Sequence, residues 1–375
     1  MNWKVPLADL DFDNNEEQAV IGVLRSKWLT MGAVTQQFEV AFSKLTMSKH
    51  TIAVSNATQA LHLACLAVGV GHGNEVIVPS LSFVATANAV LYCGADVRFA
   101  DILSPDELTI DPASIAEQIT PRTKAIIVMH YAGYPCRMQP IMELAKEHHL
   151  AVIEDAAHAP GALLEQVPLG SWGDIGCFSF FSNKNLSVGE GGMLVCNRDD
   201  LAEKIHLQRS HGMTTLTYDR HKGHAFTYDV IDLGYNYRID EIRSALGLQQ
   251  LKKLQNNNQN RQRITERYWQ ALSNTGLGLP FLETMQGNPS FHIFPILLPE
   301  HIQRETFMSR LRDAGIQSSI HYRPIHTFTF YQKKYGTIYL PVTEDVAKRE
   351  VTLPLFPTMT DEQIEVVIDA VTSLI

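Results

Sequence analysis

The chain lacks the cysteine pattern that metal-binding and disulfide-rich proteins share. Only five cysteines occur among its 375 residues, at positions 65, 93, 136, 177 and 196, and none belongs to a Cys-x-x-Cys pair. A zinc ribbon is therefore not supported, and the absence of cysteine after Cys196 gives no support to a cysteine-ligated cluster in the second half. We expect reduced thiols, mostly buried, and no metal site.

Long apolar runs and an excess of positive charge are also missing. The sequence has no run of about 18 uncharged apolar residues, the length that a membrane-spanning helix needs. The segment Met1–Asp11 also lacks the basic region followed by an apolar region that is typical of a signal peptide. The 31 basic residues against 40 acidic ones leave a net charge of -9, which gives no general attraction to nucleic acid or to an anionic membrane surface. We expect a cytoplasmic protein that holds any anionic ligand with local donors.

Short apolar runs alternate with segments of helical spacing. Glu75–Pro79 and Lys124–Met129 are typical of buried strands, whereas Pro140–His148 has helical period. This alternation favours an α/β fold in which helices flank a mainly parallel central sheet. The length predicts one large domain and a smaller second one.

The segment from Asp240 to Arg263 gives the position of the domain boundary. Asp240 is an N-cap candidate for a helix with one buried face, and the polar stretch Gln255–Arg263 that follows is either a solvated helix face or the joint between domains. We therefore place the boundary near residue 250, between a large domain of residues 1–250 and a small C-terminal α+β domain of residues 251–375.

The most informative polar residues are Lys184 and Asp155. Asp155 ends the apolar stretch Leu150–Asp155, and Lys184 precedes the glycine-rich run Gly189–Gly192. A lysine amine can form a Schiff base with an aldehyde, and a carboxylate beside a pyridine nitrogen keeps that ring protonated. The pair predicts a pyridoxal-phosphate (PLP) site, although a nearby arginine would also satisfy Asp155 and a surface loop would also explain Lys184.

Two segments offer donors for a phosphate group. Ser55–Gly69 has the apolar spacing of an amphipathic helix, whose first turn would present backbone N–H groups and the Thr58 hydroxyl. Ordinary helix capping explains these residues equally well. Ser179 could add a second hydroxyl, or it could be a strand serine bonded to backbone.

Phe83 and His158 are candidates for contacts with a bound ring. Phe83 follows a strand end, where it could stack on a pyridine or simply belong to the core. His158 follows Asp155 closely, so it could pack near the cofactor's hydroxyl group or hold Asp155 in position.

The ordered motifs of the chain resemble the DegT/DnrJ/StrS family of PLP-dependent sugar aminotransferases, which have the type I aspartate-aminotransferase fold. The resemblance covers nearly the whole chain. Its motifs are Trp28–Gly32, Phe38–Glu39, Ser55–Thr58, Pro79–Phe83, Glu154–His158, Phe178–Asn185, Gly189–Gly192, Gly234–Asp240, His321–His326 and Leu353–Pro357.

The resemblance implies a role in cofactor binding for six residues. It implies that Lys184 carries PLP as an internal aldimine, that the cofactor passes through its pyridoxamine form (PMP), and that Asp155 pairs with the ring nitrogen. Asn236 would reach the phosphate bound by the neighbouring subunit, so that active sites form only in a homodimer. Ala57, Thr58 and Ser179 would hold the phosphate, and Phe83 and His158 are added as cofactor-binding candidates from their positions alone.

The resemblance also implies the substrates. Arg238 would face the carboxylate of L-glutamate, and His321, Tyr322 and His326 would lie near a keto sugar nucleotide, for which a 4-keto-6-deoxy sugar is the expected type. The product would be an amino sugar nucleotide for lipopolysaccharide or another cell-surface polysaccharide, or for a secondary metabolite.

Three other functions compete with transamination as interpretations of these motifs. A cysteine desulfurase needs a cysteine in the second half, which this chain lacks. Dehydratase relatives share His158 where many members have Gln, but they replace the lysine by histidine or add an iron-sulfur cluster. A catalytically silent regulatory protein would not need both Lys184 and Asp155. Transamination is therefore the preferred prediction.

Overall fold

A seven-stranded sheet forms the centre of the fold in the computed structural model, which describes residues 3–215 and 227–375. Only the strand Gly192–Cys196 runs antiparallel to its neighbours, so the predicted mainly parallel sheet is confirmed. In order across the sheet, the strands are β1 (His50–Val54), β11 (Gly192–Cys196), β10 (Ile175–Ser179), β7 (Ala151–Asp155), β6 (Thr123–Met129), β2 (Glu75–Pro79) and β3 (Asp96–Ala100).

Helices cover both faces of this sheet. Strands β2, β10 and β11 are buried along their whole length, as expected when neither face meets water. The helices of the described residues are α1 (Asn14–Ser26), α2 (Ala33–Thr46), α3 (Ala57–Ala67), α4 (Ala85–Tyr92), α5 (Pro112–Gln118), α6 (Met138–Glu147), α7 (Asp199–Arg209), α8 (Glu241–Leu272), α9 (Arg304–Asp313), α10 (Thr329–Tyr335), α11 (Pro341–Arg349) and α12 (Asp361–Ser373).

Three two-stranded sheets complete the described strands. Two of them are hairpins that lie in sequence between strands of the large sheet, and the third is formed by residues of the C-terminal part. They consist of β4 (Ile102–Ser104) with β5 (Glu107–Ile110), β8 (Leu163–Leu164) with β9 (Val167–Pro168), and β12 (Phe294–Leu297) with β13 (Glu350–Leu353). Strand β12 and helix α9 agree with the α+β pattern predicted for the last third.

The long helix α8 crosses the predicted domain boundary near residue 250. The Asp240 carboxylate caps its start by accepting from the Arg243 N–H at 2.9 Å, as its sequence position suggested. The polar stretch Gln255–Arg263 continues the same helix, so it is a helical segment and not a loop between domains. The boundary itself stays a prediction.

The cysteines and the helix lengths bear on two further expectations. All five cysteines are free thiols, and only Cys93 is partly exposed. Among the residues that the structure describes, no helix has the length and apolarity needed to cross a membrane.

Candidate active site

The site lies at the carboxyl ends of β7 and β10, where two predicted residues end neighbouring strands. Asp155 is the last residue of β7, and Ser179 is the last of β10. Asp155 lies opposite Cys177 in the parallel pair, which brings Ser179 out at the same edge of the sheet. This edge is where ligands bind in parallel sheets.

Asp155 is buried and held by two donors. Its carboxylate accepts from the Thr86 hydroxyl at 2.8 Å and from the Ala157 N–H at 3.2 Å. Burial raises the pKa of Asp155, whereas the Thr86 and Ala157 hydrogen bonds and the nearby Lys184 act in the opposite direction. Asp155 is therefore a carboxylate held in one position, and a cationic partner would stabilise its charged form against the cost of burial. The two donors, and not His158, hold it in position.

Lys184 reaches the same pocket from the loop after β10. Its backbone N–H donates to the Phe181 carbonyl at 2.9 Å, which forms a tight turn. Burial lowers the pKa of its amine to about 7, and the attraction of Asp155 offsets this only in part. Near neutral pH a substantial fraction of this lysine is an uncharged nucleophile, which the surface-loop alternative does not explain.

The first turn of α3 forms another wall of the pocket. The Asn56 side chain caps the helix by accepting from the Gln59 N–H at 2.9 Å, so the capping alternative is correct for Asn56. Ala57 and Thr58 line the pocket in addition. The helix start packs on Gly192, where a β-carbon would lie 2.6 Å from the Asn56 carbonyl carbon. That contact explains one glycine of the run after Lys184.

Phe83, Tyr322 and His158 form an aromatic border. Phe83 is 56% exposed, so its interpretation as a core residue is wrong, and its ring lies 6.1 Å from that of Tyr322. His158 is buried, accepts from the Ala132 N–H at 3.2 Å through Nδ1, and pairs with the Tyr322 hydroxyl at 2.9 Å through Nε2. These contacts fix the ring of His158 at the pocket wall.

Three predicted residues do not line this pocket. His326 is buried outside it, where Nδ1 lies 2.6 Å from the Ser80 hydroxyl and Nε2 lies 3.4 Å from Glu344. Asn236 is exposed and Arg238 is half-buried in the segment before α8. Neither side chain lines the pocket, although their segment lies at its edge, where the Ser55 N–H donates to the Tyr237 carbonyl at 3.0 Å and the Ser55 hydroxyl donates to the Arg238 carbonyl at 2.7 Å.

The other nine predicted residues surround one pocket of about 410 Å³. They are Ala57, Thr58, Phe83, Asp155, His158, Ser179, Lys184, His321 and Tyr322. The described residues contain no cluster of histidine, cysteine and carboxylate side chains suited to a metal ion.

Sequence reasoning missed Thr86, Asn185 and His292. Thr86 donates to Asp155, Asn185 follows Lys184, and His292 Nε2 lies 3.4 Å from the Lys184 Nζ. A signal existed only for His292, which is the one polar residue in the apolar run Phe291–Leu298. Buried polar side chains in such runs usually have a specific partner.

Known proteins resemble the chain along nearly its whole length. Residues 10–372 match the family model for the DegT/DnrJ/EryC1/StrS aminotransferase family. The chain is 38% identical over 368 residues to the spore coat polysaccharide biosynthesis protein SpsC of Bacillus subtilis. The alignment covers 96% of this chain and 94% of SpsC.

Solved structures give the same result. The Helicobacter pylori aminotransferase PseC, which is involved in the biosynthesis of pseudoaminic acid, superposes with a TM-score of 0.92 at 31% identity, covering 99% of this chain and 98% of PseC. The PLP form of the sugar aminotransferase Spr1654 from Streptococcus pneumoniae has a TM-score of 0.92 at 26% identity, and the match covers 99% of this chain and 98% of Spr1654. Spr1654 has also been solved in a PMP form.

Proposed function

The chain belongs to the DegT/DnrJ/EryC1/StrS aminotransferase family, and from this premise we propose the substrates of its reaction. It is a PLP-dependent aminotransferase of nucleotide-linked sugars. We propose L-glutamate as the amino donor and the C4 keto group of a 6-deoxy sugar nucleotide as the acceptor. The observation that carries the proposal is the full-length family match, together with a pocket in which Lys184 and Asp155 meet.

The groups of the pocket fit the chemical parts of PLP. An amine with a pKa of about 7 suits the aldehyde, and a buried carboxylate suits the ring nitrogen. The first turn of α3 supplies backbone N–H groups for the phosphate, with the Thr58 hydroxyl beside them. The Ser179 hydroxyl accepts from the Phe181 N–H at 3.4 Å, which leaves its own hydrogen available to the phosphate.

Asp155 would control the proton on the cofactor's ring. When bound, PLP supplies an aldehyde that takes up the amino group and a protonated ring that draws electrons from the bond being broken. The carboxylate of Asp155 would hold that proton at the ring nitrogen, since a buried cation beside it offsets the cost of its own burial. Thr86 keeps the carboxylate in one orientation.

Lys184 would carry the cofactor and then move the proton. Once the donor has displaced it, its amine is the base that removes a proton from the donor's α-carbon and delivers one in the second half of the reaction. Burial serves this role because it keeps much of the amine uncharged near neutral pH.

The two subunits of a homodimer would share each site. Arg238 would bind the carboxylate of glutamate, and Asn236 of the partner subunit would bind the cofactor's phosphate. The exposure of Asn236 in its own chain supports this division, because its side chain is available to a second molecule.

The sugar would enter beside Asn183. Within the described part of the chain, its Oδ1 is buried without a hydrogen-bond partner, and the residue lines both the main pocket and a small adjoining one with Leu7 and His321. An acceptor oxygen in that position suits a sugar hydroxyl. The relatives SpsC and PseC act in the biosynthesis of spore coat polysaccharide and pseudoaminic acid, which supports a role in making a cell-surface sugar.

A substrate panel tests the proposal. The protein is incubated with PLP, L-glutamate and keto sugar nucleotides that differ in carrier and in C3 or C4 ketone, and 2-oxoglutarate is measured alongside the sugar product. We expect one 2-oxoglutarate for each amino sugar formed, with the C4 ketones preferred. Consumption of sugar without 2-oxoglutarate would identify a dehydratase, and a visible absorption band that glutamate does not change would identify a silent protein.

A further inference from the structure

We propose that His292 is a positioning residue that receives and orients the free amine of Lys184. The proposal rests on the role of Lys184 given above. The two side chains come from distant parts of the sequence, and His292 Nε2 lies 3.4 Å from Lys184 Nζ. His292 is buried, only 4% exposed.

The hydrogen bonds around Asn185 determine which nitrogen of His292 carries hydrogen. The Asn185 amide nitrogen donates to the Ser290 carbonyl at 2.7 Å and to the Asn258 side-chain oxygen at 2.8 Å. Its Oδ1 must therefore accept from His292 Nδ1 at 2.9 Å. With the hydrogen on Nδ1, the lone pair of Nε2 faces Lys184.

The backbone of His292 is held on both sides. Its N–H donates to the Ala132 carbonyl at 2.8 Å, and its carbonyl accepts from the Arg261 guanidinium at 3.1 Å. Arg261 is itself buried and also donates to the Leu355 carbonyl at 2.9 Å. The imidazole therefore has little freedom to turn away from Lys184.

The charges around the pair favour a neutral imidazole. Burial lowers the pKa of His292 well below its usual value, and the nearby His158, Lys184, Arg261 and His321 lower it further. Asp155 is the anion that acts on Lys184. A neutral His292 can accept a hydrogen from Lys184 in either state of the amine, without repelling the charged one.

This arrangement gives the released lysine a defined place. An amine that swings free would sample many rotamers, and each one away from the reacting carbon lowers the rate. A hydrogen bond to Nε2 would restrict those rotamers. Because a bond to the charged form favours that form, it would also raise the pKa of Lys184 against the effect of burial.

The test measures the amine in the cofactor-free protein. Isotopically labelled acetic anhydride is applied over a range of pH, and labelling of the peptide that contains Lys184 is followed by mass spectrometry. In His292→Leu we expect the pKa of Lys184 to fall by about one unit relative to the wild type, which is the size expected for loss of a hydrogen bond to a charged group. His292→Gln retains an acceptor near the Nε2 position and should keep most of the wild-type value.

Two further variants complete the experiment. His301→Leu makes the same substitution at an exposed histidine and should leave the pKa of Lys184 unchanged. Asn185→Leu leaves His292 in place but removes the acceptor for Nδ1, so it should also lower the pKa of Lys184; it provides the test if His292→Leu does not fold. An unchanged pKa in both His292→Leu and Asn185→Leu, or a His292→Gln value equal to that of His292→Leu, would overturn the proposal.

A kinetic readout separates positioning from structural damage. In the holoenzyme, His292→Leu should lower the maximal rate constant of the glutamate half-reaction, because the proton-transfer step is affected. The glutamate concentration for half-maximal rate should stay within about twofold of the wild-type value, because substrate binding is not affected. Equal damage to both constants would contradict the positioning role. Failure of the proposed function itself would appear differently, as turnover that survives removal of Lys184.

Discussion

The pocket around Lys184 and the run of residues 228–238 differ in how their side chains are buried and paired within one chain. The pocket collects polar groups from several strand ends and buries them, and Asp155 and His158 each have protein partners. The run instead turns its apolar side chains outward, and Val230, Ile231 and Leu233 are 56%, 60% and 77% exposed. Exposed apolar patches of this kind mark surfaces that another molecule covers. This exposure agrees with the proposed homodimer, in which the run would face the partner subunit and the pocket would supply the catalytic lysine.

The largest effect should follow from removing the amine of the pocket. In Lys184→Ala we expect turnover of keto sugar to fall on the order of 10⁴-fold, because both the attachment point and the proton-transfer group are lost. Weak cofactor binding should remain, since the phosphate donors of α3 are unchanged. The measurement is 2-oxoglutarate formation together with a borohydride-trapped cofactor peptide.

The trapping result decides whether the pocket supplies the catalytic lysine. Wild-type protein should carry the trapped cofactor on the peptide containing Lys184, and Lys184→Ala should carry none. A cofactor trapped on another lysine, or turnover like that of the wild type in the variant, would reject the assignment of the pocket.

A smaller effect is expected from changing the charge but not the shape of the pocket. Asp155→Asn should lower the rate on the order of 10²-fold, because an amide cannot stabilise the proton on the ring nitrogen. The fold should persist, since the oxygen of the introduced amide can still accept from the Ala157 N–H, and the amide NH₂ group can donate to the Thr86 hydroxyl oxygen. Circular dichroism and thermal unfolding provide the structural control, and an unchanged rate would remove the electronic role of Asp155.

Residues with unusual local chemistry were predictable from the sequence, whereas contacts made by the tertiary fold were not. Lys184 and Asp155 were identifiable because their chemistry is unusual in the segments that carry them, and strand order placed both at one edge of the sheet. For His292 the only signal was its polarity within an apolar run, and its partner was not predictable, because the tertiary fold brings Lys184 to it. The placement of His326 beside Ser80 and Glu344 likewise depends on packing that no local pattern reveals.

The uninterrupted helix α8 shows the same limit at the level of domains. Its polar middle, Gln255–Arg263, was compatible with either a helix face or a joint. Composition alone does not separate the two, because a helix with one buried face leaves its other side as polar as a loop. In the structure the stretch is helical, and its Asn257 and Arg261 side chains are buried.

The smallest effect concerns the exposed run and tests the division between subunits. Asn236→Ala should raise the PLP concentration for half-saturation by about tenfold, the expected loss of one hydrogen bond to a charged phosphate. Assays at limiting PLP should then show little activity for Asn236→Ala alone and none for Lys184→Ala alone. If sites are shared, re-associated mixtures of the two variants should recover about one quarter of wild-type activity, because half of the dimers are mixed and each of these has one intact site. Lys184→Ala mixed with wild type calibrates subunit exchange. Activity no higher than the sum of the separate variants would mean that Asn236 acts within its own chain, which would end the contrast between the two regions.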